Sequence, residues 1–293
     1  MKIGFIGIGT MGCPIALNLA RNHVDLIVHD LNSKRHDEFV QLGIRATIDR
    51  ADLASCQVIF LCLPNAEIVQ EVLFGDNGME SLLETGKFIC DLTTMDYMSA
   101  ISIGNRLDSR GIDYLDAPVS GMQAKAIDGT LTIMCGGEIG VYETLLPLLK
   151  QVGRNVLYMG PQGCGQLSKT INNVLFDINI AALAELLPFA VKLGLNPENI
   201  GDVINSSSGG SFASTFFIPR ILSRNFRDGY PMGDAYKDLV SCMNAATSMA
   251  LPLPVTSAAL STYQMAMLQG LGECDKGAMT CVFEKLMGVE YKK

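Results

Sequence analysis

Histidine is scarce in this sequence and confined to one end of it. The three histidines, at positions 23, 29 and 36, lie near the start of a chain of 293 residues. The rest of the chain therefore has no histidine for an Asp–His proton relay or for a histidine-ligated metal site. This scarcity leaves lysine as the obvious candidate for acid–base chemistry.

Closely spaced cysteine pairs and a basic surface are also missing. The nine cysteines include no C-x-x-C pair and no zinc spacing, so we expect reduced thiols, no bound metal and a cytoplasmic location. The formal net charge of −8 leaves no basic stripe for a phosphate backbone, which argues against nucleic acid as a partner. We expect no export signal, because a strand pattern starts at the first residues.

Residues 239–272 lack every charged residue type and histidine. Pro252 and Pro254 interrupt this segment, and Ser, Thr, Asn and Gln are spread through both halves. A bilayer span needs about 20 consecutive apolar residues, so we predict no contact with a membrane. The segment instead predicts two helices buried on both sides, with a partner subunit as one candidate cover.

A glycine-rich turn follows the first strand pattern. Residues 2–6 are a short apolar run, GIGTMG occupies residues 7–12, and a helical pattern comes next. This context is typical of a dinucleotide-binding turn, in which the first glycine makes the turn, the second admits the pyrophosphate and the third lets helix and strand pack. The predicted cofactor contacts here are Gly7, Ile8, Gly9, Thr10, Met11 and Gly12.

The second strand pattern, residues 25–30, ends in Asp30. A carboxylate at this place suits hydrogen bonding to the ribose hydroxyls of adenosine and repels a 2′-phosphate, which favours NAD over NADP. Lys34 and Arg35 follow closely and could still bind a 2′-phosphate, so NADP stays possible. An aspartate that caps a strand end is the alternative interpretation of Asp30.

Strand and helix patterns alternate to about residue 160, after which only helical patterns remain. Ligands of parallel sheets bind beyond the carboxyl ends of the strands. The residues predicted to line the cofactor crevice are therefore Leu63, Pro64, Asn65, Thr93, Thr94 and the segment after Asp116. The first helical pattern after the switch covers residues 167–193 and is expected to be interrupted near Pro188. The sequence thus predicts an α/β Rossmann-type N-terminal domain (residues 1–162) and an all-α C-terminal domain (163–293), joined by a long interdomain helix.

The segment GPQGCGQLSKTINN, residues 160–173, predicts a glycine-rich turn that runs into this helix. Lys169 and Asn173 would share one helix face, and the glycines would let another segment or a ligand approach the backbone. Lys169 is a candidate proton carrier in a cleft between the domains, and a solvated lysine is the alternative. Lysine has an unperturbed pKa of about 10.4, so this role needs desolvation or a second cation such as Lys237.

Two further groups have open interpretations. Residues 116–122, DAPVSGM, predict a strand, a loop and a short helix, where the amides of Ser120, Gly121 and Met122 and the Ser120 hydroxyl could hold an anion. An ordinary turn with an N-cap explains the same residues equally well. Lys237 either reaches the surface or points into a polar pocket.

Four motifs, at residues 7–12, 116–121, 160–173 and 237–239, resemble the β-hydroxyacid dehydrogenases in order and spacing. That family includes 3-hydroxyisobutyrate dehydrogenase, tartronate semialdehyde reductase and 2-(hydroxymethyl)glutarate dehydrogenase. The resemblance implies that Lys169 is the catalytic acid–base, that Asn173 and the Ser120–Gly121 loop hold the substrate, and that Lys237 borders the nicotinamide. It also implies cofactor contacts from Leu63, Pro64 and Thr94, and a homodimer or homotetramer.

Two positions depart from the family pattern. Met122 stands where many relatives have a second glycine, so we expect that part of the substrate pocket to be narrower or more apolar. Tyr230 stands where several relatives have phenylalanine, which adds a hydroxyl to the substrate site.

We therefore expect reversible NAD(H)-dependent interconversion of a small carboxylate-bearing semialdehyde and its 3- or 4-hydroxy acid. One alternative is an NADPH-dependent semialdehyde or glyoxylate-type reductase. A 6-phosphogluconate-type oxidative decarboxylase is a second, although the helical region is short and has no obvious phosphate-binding arginine cluster. A non-catalytic dinucleotide sensor is the third, and the retention of Lys169 and Asn173 argues against it.

Overall fold

Short apolar runs that end in glycine, proline or a polar residue form the strands of the first part of the chain. A computed structural model describes residues 1–227 and 229–293, which divide into the units Met1–Lys169 and Thr170–Lys293. The strands all lie in the first unit: β1 Lys2–Ile6, β2 Asp25–His29, β3 Arg45–Thr47, β4 Val58–Leu61, β5 Phe88–Asp91, β6 Asp113–Asp116, β7 Val119–Ser120, β8 Leu131–Gly136 and β9 Gly153–Gly160.

The nine strands form one sheet in the order β3-β2-β1-β4-β5-β6-β8-β7, with β9 also paired to β8. The six strands from β3 to β6 are parallel to one another. β8 then runs antiparallel to β6 and to β7, and β9 runs parallel to β8. Because the six parallel strands end at the same edge, the turns after β1, β2, β4, β5 and β6 are neighbours, and the predicted cofactor residues lie there.

Helices cover both faces of this sheet: α1 Gly12–Arg21, α2 Asp37–Gln41, α3 Ala66–Phe74, α4 Tyr97–Asp108, α5 Met122–Ile127 and α6 Ile139–Leu149. Successive strand residues point to opposite faces, and in β4 both sets are apolar. Phe60 therefore packs in one core with α1, α5 and α6, while Ile59 packs in a second core with α3 and α4. Continuous apolar runs are typical of parallel strands that are buried on both sides.

The helix α7, Cys164–Lys192, contains the boundary between the two units. The boundary predicted after residue 162 lies earlier, in the turn before this helix. The second unit continues with α8 Pro197–Ser206, α9 Phe212–Leu222, α10 Met232–Ser248, α11 Pro254–Leu268, a 3-10 helix Lys276–Met279 and α12 Thr280–Met287. Apolar residues from α7 and from these helices, among them Leu187, Phe217 and Tyr263, form its core.

The predicted fold class, an α/β Rossmann-type domain followed by an all-α domain, is confirmed. The interruption expected near Pro188 is wrong, because α7 continues through this residue as one helix. A proline inside a helix removes one backbone hydrogen bond, but Pro188 is buried beside Leu187 and Ala184. We attribute the continuity of α7 to this packing.

Three helices of the described residues, α7, α10 and α11, are notable for their apolar composition. Among the described residues, α7 is the one helix long and apolar enough to cross a membrane, and half of its most apolar stretch is buried within the protein. α10 and α11 cover most of the uncharged segment 239–272, as predicted by the sequence. Within this chain, however, the two helices are not buried on both sides as predicted, since Val255 is 62% and Leu268 88% exposed.

Two glycines near helix starts in the first unit provide a matched test of packing. A Cβ atom on Gly12 would lie 1.8 Å from the Gly7 carbonyl oxygen, whereas a Cβ on Gly140 would meet nothing within 4 Å. We expect Gly12→Ala to lower the free energy of unfolding by about 1–3 kcal/mol. Gly140→Ala should raise it by up to about 1 kcal/mol. Denaturant unfolding of both variants measures the difference, and equal effects would contradict the packing argument.

Candidate active site

The turn after β1 has room for glycine alone at two positions. Gly7 adopts a φ of +94°, and a Cβ atom there would lie 2.4 Å from the Cys62 carbonyl oxygen. Its amide donates a hydrogen bond to the His29 carbonyl oxygen over 2.9 Å, which ties the turn to the end of β2. Together with the crowding at Gly12, this geometry explains why strand and helix can approach so closely.

Gly9 has open space above its backbone. Among the described residues that do not adjoin it in the chain, a Cβ atom there would contact the Arg35 guanidinium alone, at 3.5 Å. Thr10 beside it is exposed. The free amides at the start of α1 lie next in the chain, where the helix dipole favours negative charge. The residues of this turn therefore fit the pyrophosphate of a dinucleotide.

Asp30 lies directly after β2 and is nearly buried. Its Oδ2 accepts hydrogen bonds from the Ile8 amide (3.2 Å) and from Arg35 Nη1 (3.0 Å), and its Oδ1 accepts one from the Asn32 amide (2.9 Å). Asp30 therefore caps its own turn, as the alternative interpretation held, and also fixes the glycine-rich turn. The Arg35 side chain, which is half exposed, pairs with this carboxylate.

Leu63, Pro64 and Thr94 lie after β4 and β5, at the same sheet edge as the glycine-rich turn. The Leu63 amide donates a hydrogen bond to the Thr93 hydroxyl over 3.0 Å. Thr93 is buried, while Pro64 and Thr94 are exposed. Thr93 thus joins the two strand ends, and Thr94 and Pro64 are left at the surface of this edge.

The carboxylate of Asp116, at the end of β6, holds the start of α7. Asp116 is fully buried; its Oδ1 accepts a hydrogen bond from the Gly163 amide (2.7 Å) and its Oδ2 accepts one from the Gln166 amide (2.9 Å). These amides are among the helix-start donors that have no partner within the helix. A Cβ atom on Gly136 or on Gly165 would lie 2.6 Å from one of the two carboxylate oxygens. The predicted close approach to this glycine-rich turn is therefore made by a carboxylate of the protein itself.

Gln166 fixes the same helix start from the other side. Its Oε1 accepts a hydrogen bond from the Met95 amide (3.0 Å), and its Nε2 donates one to the Thr93 carbonyl oxygen (2.6 Å). Gln166 is fully buried. Lys169 lies one turn further along α7 and is half-buried. The position of Lys169 is thus set by two buried side chains, which the sequence analysis did not identify.

Burial raises the pKa of two carboxyl groups at this edge of the sheet. It raises the pKa of Asp116 to about 6, against the opposing effect of the N–H groups of Gly163 and Gln166. It raises the pKa of Asp91, at the end of β5, to about 7, although Thr93 and Tyr114 donate hydrogen bonds to this carboxyl group. Both carboxyl groups therefore hold a proton more readily than an exposed aspartate does.

The Ser120–Gly121–Met122 loop joins β7 to α5 and is strained. Gly121 has a φ of +143° and Met122 a φ of +59°, which is uncommon for a residue other than glycine. No side chain among the described residues caps the start of α5, so the N-cap interpretation of Ser120 is wrong. The stem of Lys125 lies against Gly121, where a Cβ atom would be 2.7 Å away. Met122 is exposed.

The second unit contributes Asn173, Tyr230 and Lys237 of the predicted residues. Asn173 lies on α7 one turn after Lys169, and its Nδ2 donates a hydrogen bond to Asp238 Oδ2 on α10 (2.8 Å). Lys237 Nζ forms an exposed ion pair with Asp234 Oδ1 (3.0 Å), so within its own unit Lys237 reaches the surface. Burial, with the charge of Asp234, raises the pKa of the half-exposed Tyr230 to about 12.

Comparison with known proteins shows the family to which this chain belongs. Residues 2–160 match the family model for the NAD binding domain of 6-phosphogluconate dehydrogenase, and residues 163–283 match that for the NAD-binding region of NADP-dependent 3-hydroxyisobutyrate dehydrogenase. The chain is 37% identical to 2-(hydroxymethyl)glutarate dehydrogenase of Eubacterium barkeri, over 99% of this chain and 97% of that protein. The chain belongs to the β-hydroxyacid dehydrogenase family.

Two further similar proteins support the assignment of this chain to the β-hydroxyacid dehydrogenase family. The chain is 34% identical to 2-hydroxy-3-oxopropionate reductase of Escherichia coli K12, over 97% of each protein. The crystal structure of a 3-hydroxyisobutyrate dehydrogenase from Salmonella typhimurium superposes with a TM-score of 0.85 at 27% identity, and covers 97% of this chain and 100% of that one.

Family membership confirms several predictions from the sequence. The first unit is an NAD-binding domain, and NAD with NADP as a possible alternative is the cofactor class of the family. The chain is an oxidoreductase of the hydroxyacid dehydrogenase type. The roles of the individual site residues stay predictions.

Replacement of Asp116 by asparagine tests how the start of α7 is held. An asparagine cannot accept from both amides, so we expect a loss of about 1–3 kcal/mol in the free energy of unfolding. The pKa of Asp116 is higher in the folded protein than the unfolded value of about 3.9, so its proton contributes stability that is lost as pH rises from about 4 to 6. The cost of Asp116→Asn should therefore be larger at pH 5 than at pH 8.

Denaturant unfolding of Asp116→Asn at the two pH values measures this difference. Asp113→Asn is the matched control, since it changes a partly exposed carboxylate at the other end of β6. We expect the control to cost less than about 0.5 kcal/mol at either pH. A cost that grows with pH in Asp116→Asn would contradict the assignment of its raised pKa.

Proposed function

We propose that this protein is a reversible NAD(H)-dependent reductase of a small carboxylate-bearing semialdehyde, which gives a 3- or 4-hydroxy acid. Lys169 serves as the acid–base group. The observation that carries the proposal is the placement of Lys169 one turn beyond a helix start fixed by Asp116 and Gln166. A proton donor must be held in a defined geometry to act on the reacting oxygen.

The cofactor would be held by the turn between β1 and α1 and by the edge of the sheet. Gly9 leaves the backbone open to a pyrophosphate, and Asp30 lies at the end of the neighbouring strand. The bound nicotinamide supplies or accepts the hydride. The protein itself contributes binding, orientation and the proton.

Lys169 acts on the substrate oxygen in both directions. In reduction the protonated Nζ donates a proton to the developing alkoxide, and in oxidation the neutral Nζ removes it from the hydroxyl. Histidine is not placed for this work, because His29 bonds the Ile48 carbonyl oxygen and His36 that of Asp30, both beside the predicted adenosine site.

Two groups of residues would bind the substrate. The Ser120–Gly121–Met122 loop offers backbone amides at the start of α5 together with the Ser120 hydroxyl, and Asn173 offers an amide whose orientation is fixed by Asp238. The side chain of Met122 fills space that a glycine would leave open, which favours a compact substrate. The relatives named for 2-(hydroxymethyl)glutarate and for 2-hydroxy-3-oxopropionate suggest small carboxylates with a reducible carbonyl group.

Replacement of Lys169 by alanine tests the acid–base role. Initial rates with NADH and with NADPH should be measured over the semialdehydes of tartronate, methylmalonate and succinate and over sulfolactaldehyde. We expect one of them to be reduced with NADH, and kcat to fall by about 10²–10⁴ in Lys169→Ala while NADH binding persists. Lys192→Ala, at the exposed far end of the same helix, should match the wild type.

Two outcomes would refute this proposal. A Lys169→Ala variant as fast as the wild type removes Lys169 from the mechanism. A wild type that binds NADH but reduces none of these substrates favours the non-catalytic sensor.

The Asp30–Arg35 ion pair bears on the choice of cofactor, for which we propose NAD. Asp30→Ala should lower kcat/KM with NADH by about tenfold, since a carboxylate for the ribose hydroxyls is lost. Arg35→Ala should leave NADH kinetics nearly unchanged and weaken any activity with NADPH. Arg45→Ala removes a different exposed ion pair of the same unit, with Asp52, and serves as the control. A higher kcat/KM with NADPH than with NADH in the wild type would reverse the proposed preference.

A further inference from the structure

A buried ion pair in the second unit has no part in the proposed chemistry. Asp177 on α7 is fully buried and pairs with Lys276 of the 3-10 helix, which is 4% exposed. The oxygen that binds Lys276, Oδ1, also accepts a hydrogen bond from the Tyr263 hydroxyl on α11 (3.0 Å). Among the described residues, no group donates to the other oxygen, Oδ2.

A buried ion pair of this kind contributes little net stability to a core. Two charges removed from water lose solvation, and apolar residues of similar volume are often as stable or more stable in the same place. Stability alone therefore does not explain why this core contains Asp177 and Lys276.

The surroundings of the pair point to another role. Asp177 lies one turn after Asn173 on the same face of α7, and Asn173 is bonded to Asp238. The Nζ of Lys276 lies 4.5 Å from the ring centre of Phe176 and 5.8 Å from that of Tyr230. A cation within about 6 Å of the centre of an aromatic ring is attracted to the face of that ring. One ion pair thus contacts the α7 turn that follows Asn173 and the ring of Tyr230.

We infer that the Asp177–Lys276 pair is a positioning element for the substrate-binding side chains of the second unit, where it fixes the α7 turn of Asn173 and the ring of Tyr230. Its effect on turnover rests on the proposed function, while its effect on the position of Tyr230 does not. The pair acts through Asn173 and Tyr230 and does not itself contact the substrate.

The electrostatic surroundings make this element sensitive to pH. Three ionisable side chains face Asp177. Lys276 belongs to the 3-10 helix, Tyr263 to α11 and Asp238, which acts at longer range, to α10. Burial raises the pKa of Asp177 to about 6, and the charge of Lys276 opposes that rise. Without Lys276 the pKa of Asp177 would be higher still. The stability that its proton contributes would then be lost over a range of pH that extends above 6.

The test compares Asp177→Asn, Lys276→Met and the apolar double variant D177L/K276M with Lys276→Arg, which keeps the charge. Glu284→Gln is the matched control, because Glu284 is buried and forms an ion pair with Arg224 in the same unit (2.6 Å). The double variant guards against misfolding of the single ones, since apolar replacement of a buried pair is often tolerated. The first readout is the ¹⁹F resonance of Tyr230 in protein labelled with 3-fluorotyrosine, assigned with Tyr230→Phe.

We expect the Tyr230 resonance to shift in Asp177→Asn, Lys276→Met and the double variant, and to stay in place in Lys276→Arg and Glu284→Gln. With an active wild type, KM for the semialdehyde should rise by about tenfold in the first three variants while KM for NADH is unchanged. The loss of Tm in Lys276→Met should be larger at pH 8 than at pH 5, whereas that in Glu284→Gln should not widen in this way.

An unmoved Tyr230 resonance in the charge-removing variants overturns the inference, even where Tm falls as in Glu284→Gln, because the pair is then only structural. The same holds if KM for NADH changes as much as KM for the semialdehyde. A wild type that reduces no semialdehyde refutes the proposed function instead, and the ¹⁹F measurement still decides the positioning role.

Discussion

The buried carboxylate of Asp116 is the constraint on which the candidate site depends. A carboxylate removed from water requires hydrogen-bond donors, and those to a charged group contribute about 1.5–3 kcal/mol each. Asp116 finds them at the amides of Gly163 and Gln166, so the start of α7 must lie against the end of β6. The backbone has to come so close that neither Gly136 nor Gly165 has space for a side chain. Lys169 then occupies a position determined by the edge of the sheet.

The two units use buried carboxylates in different ways. Asp116 is balanced by backbone amides, which are fixed dipoles that cannot be lost by a single side-chain change. Asp177 is balanced by the side chains of Lys276 and Tyr263, each of which could be replaced. Burial raises the pKa of both groups to about 6. The first arrangement therefore does not depend on the chemistry of a partner's side chain, whereas the second can differ between proteins with the same fold.

How much of this structure the sequence predicts depends on how far apart along the chain the interacting residues lie. The sequence is sufficient to predict β4, because each of its residues is apolar, and α1, because glycines precede it. β3 and β7 cannot be predicted in this way, since three and two residues are too few to show an alternating pattern. The role of Asp116 was missed because its partners lie 47 and 50 positions away, and the pairing of Asp177 with Lys276 joins residues 99 positions apart. No local pattern encodes contacts of that length.

The left-handed backbone at Met122 has a consequence for attempts to change the substrate range of this enzyme. Met122 is exposed, at the edge of a loop whose conformation suits glycine better, so a substitution by glycine there relieves an unfavourable backbone conformation. The start of α7 offers no such freedom, because a Cβ atom on Gly163 would lie 2.7 Å from the Tyr97 ring and one on Gly165 would lie 2.4 Å from the Met134 carbonyl oxygen. If the proposed function holds, libraries for a changed substrate range therefore belong in the loop before α5, and residues 163–166 are best left unchanged.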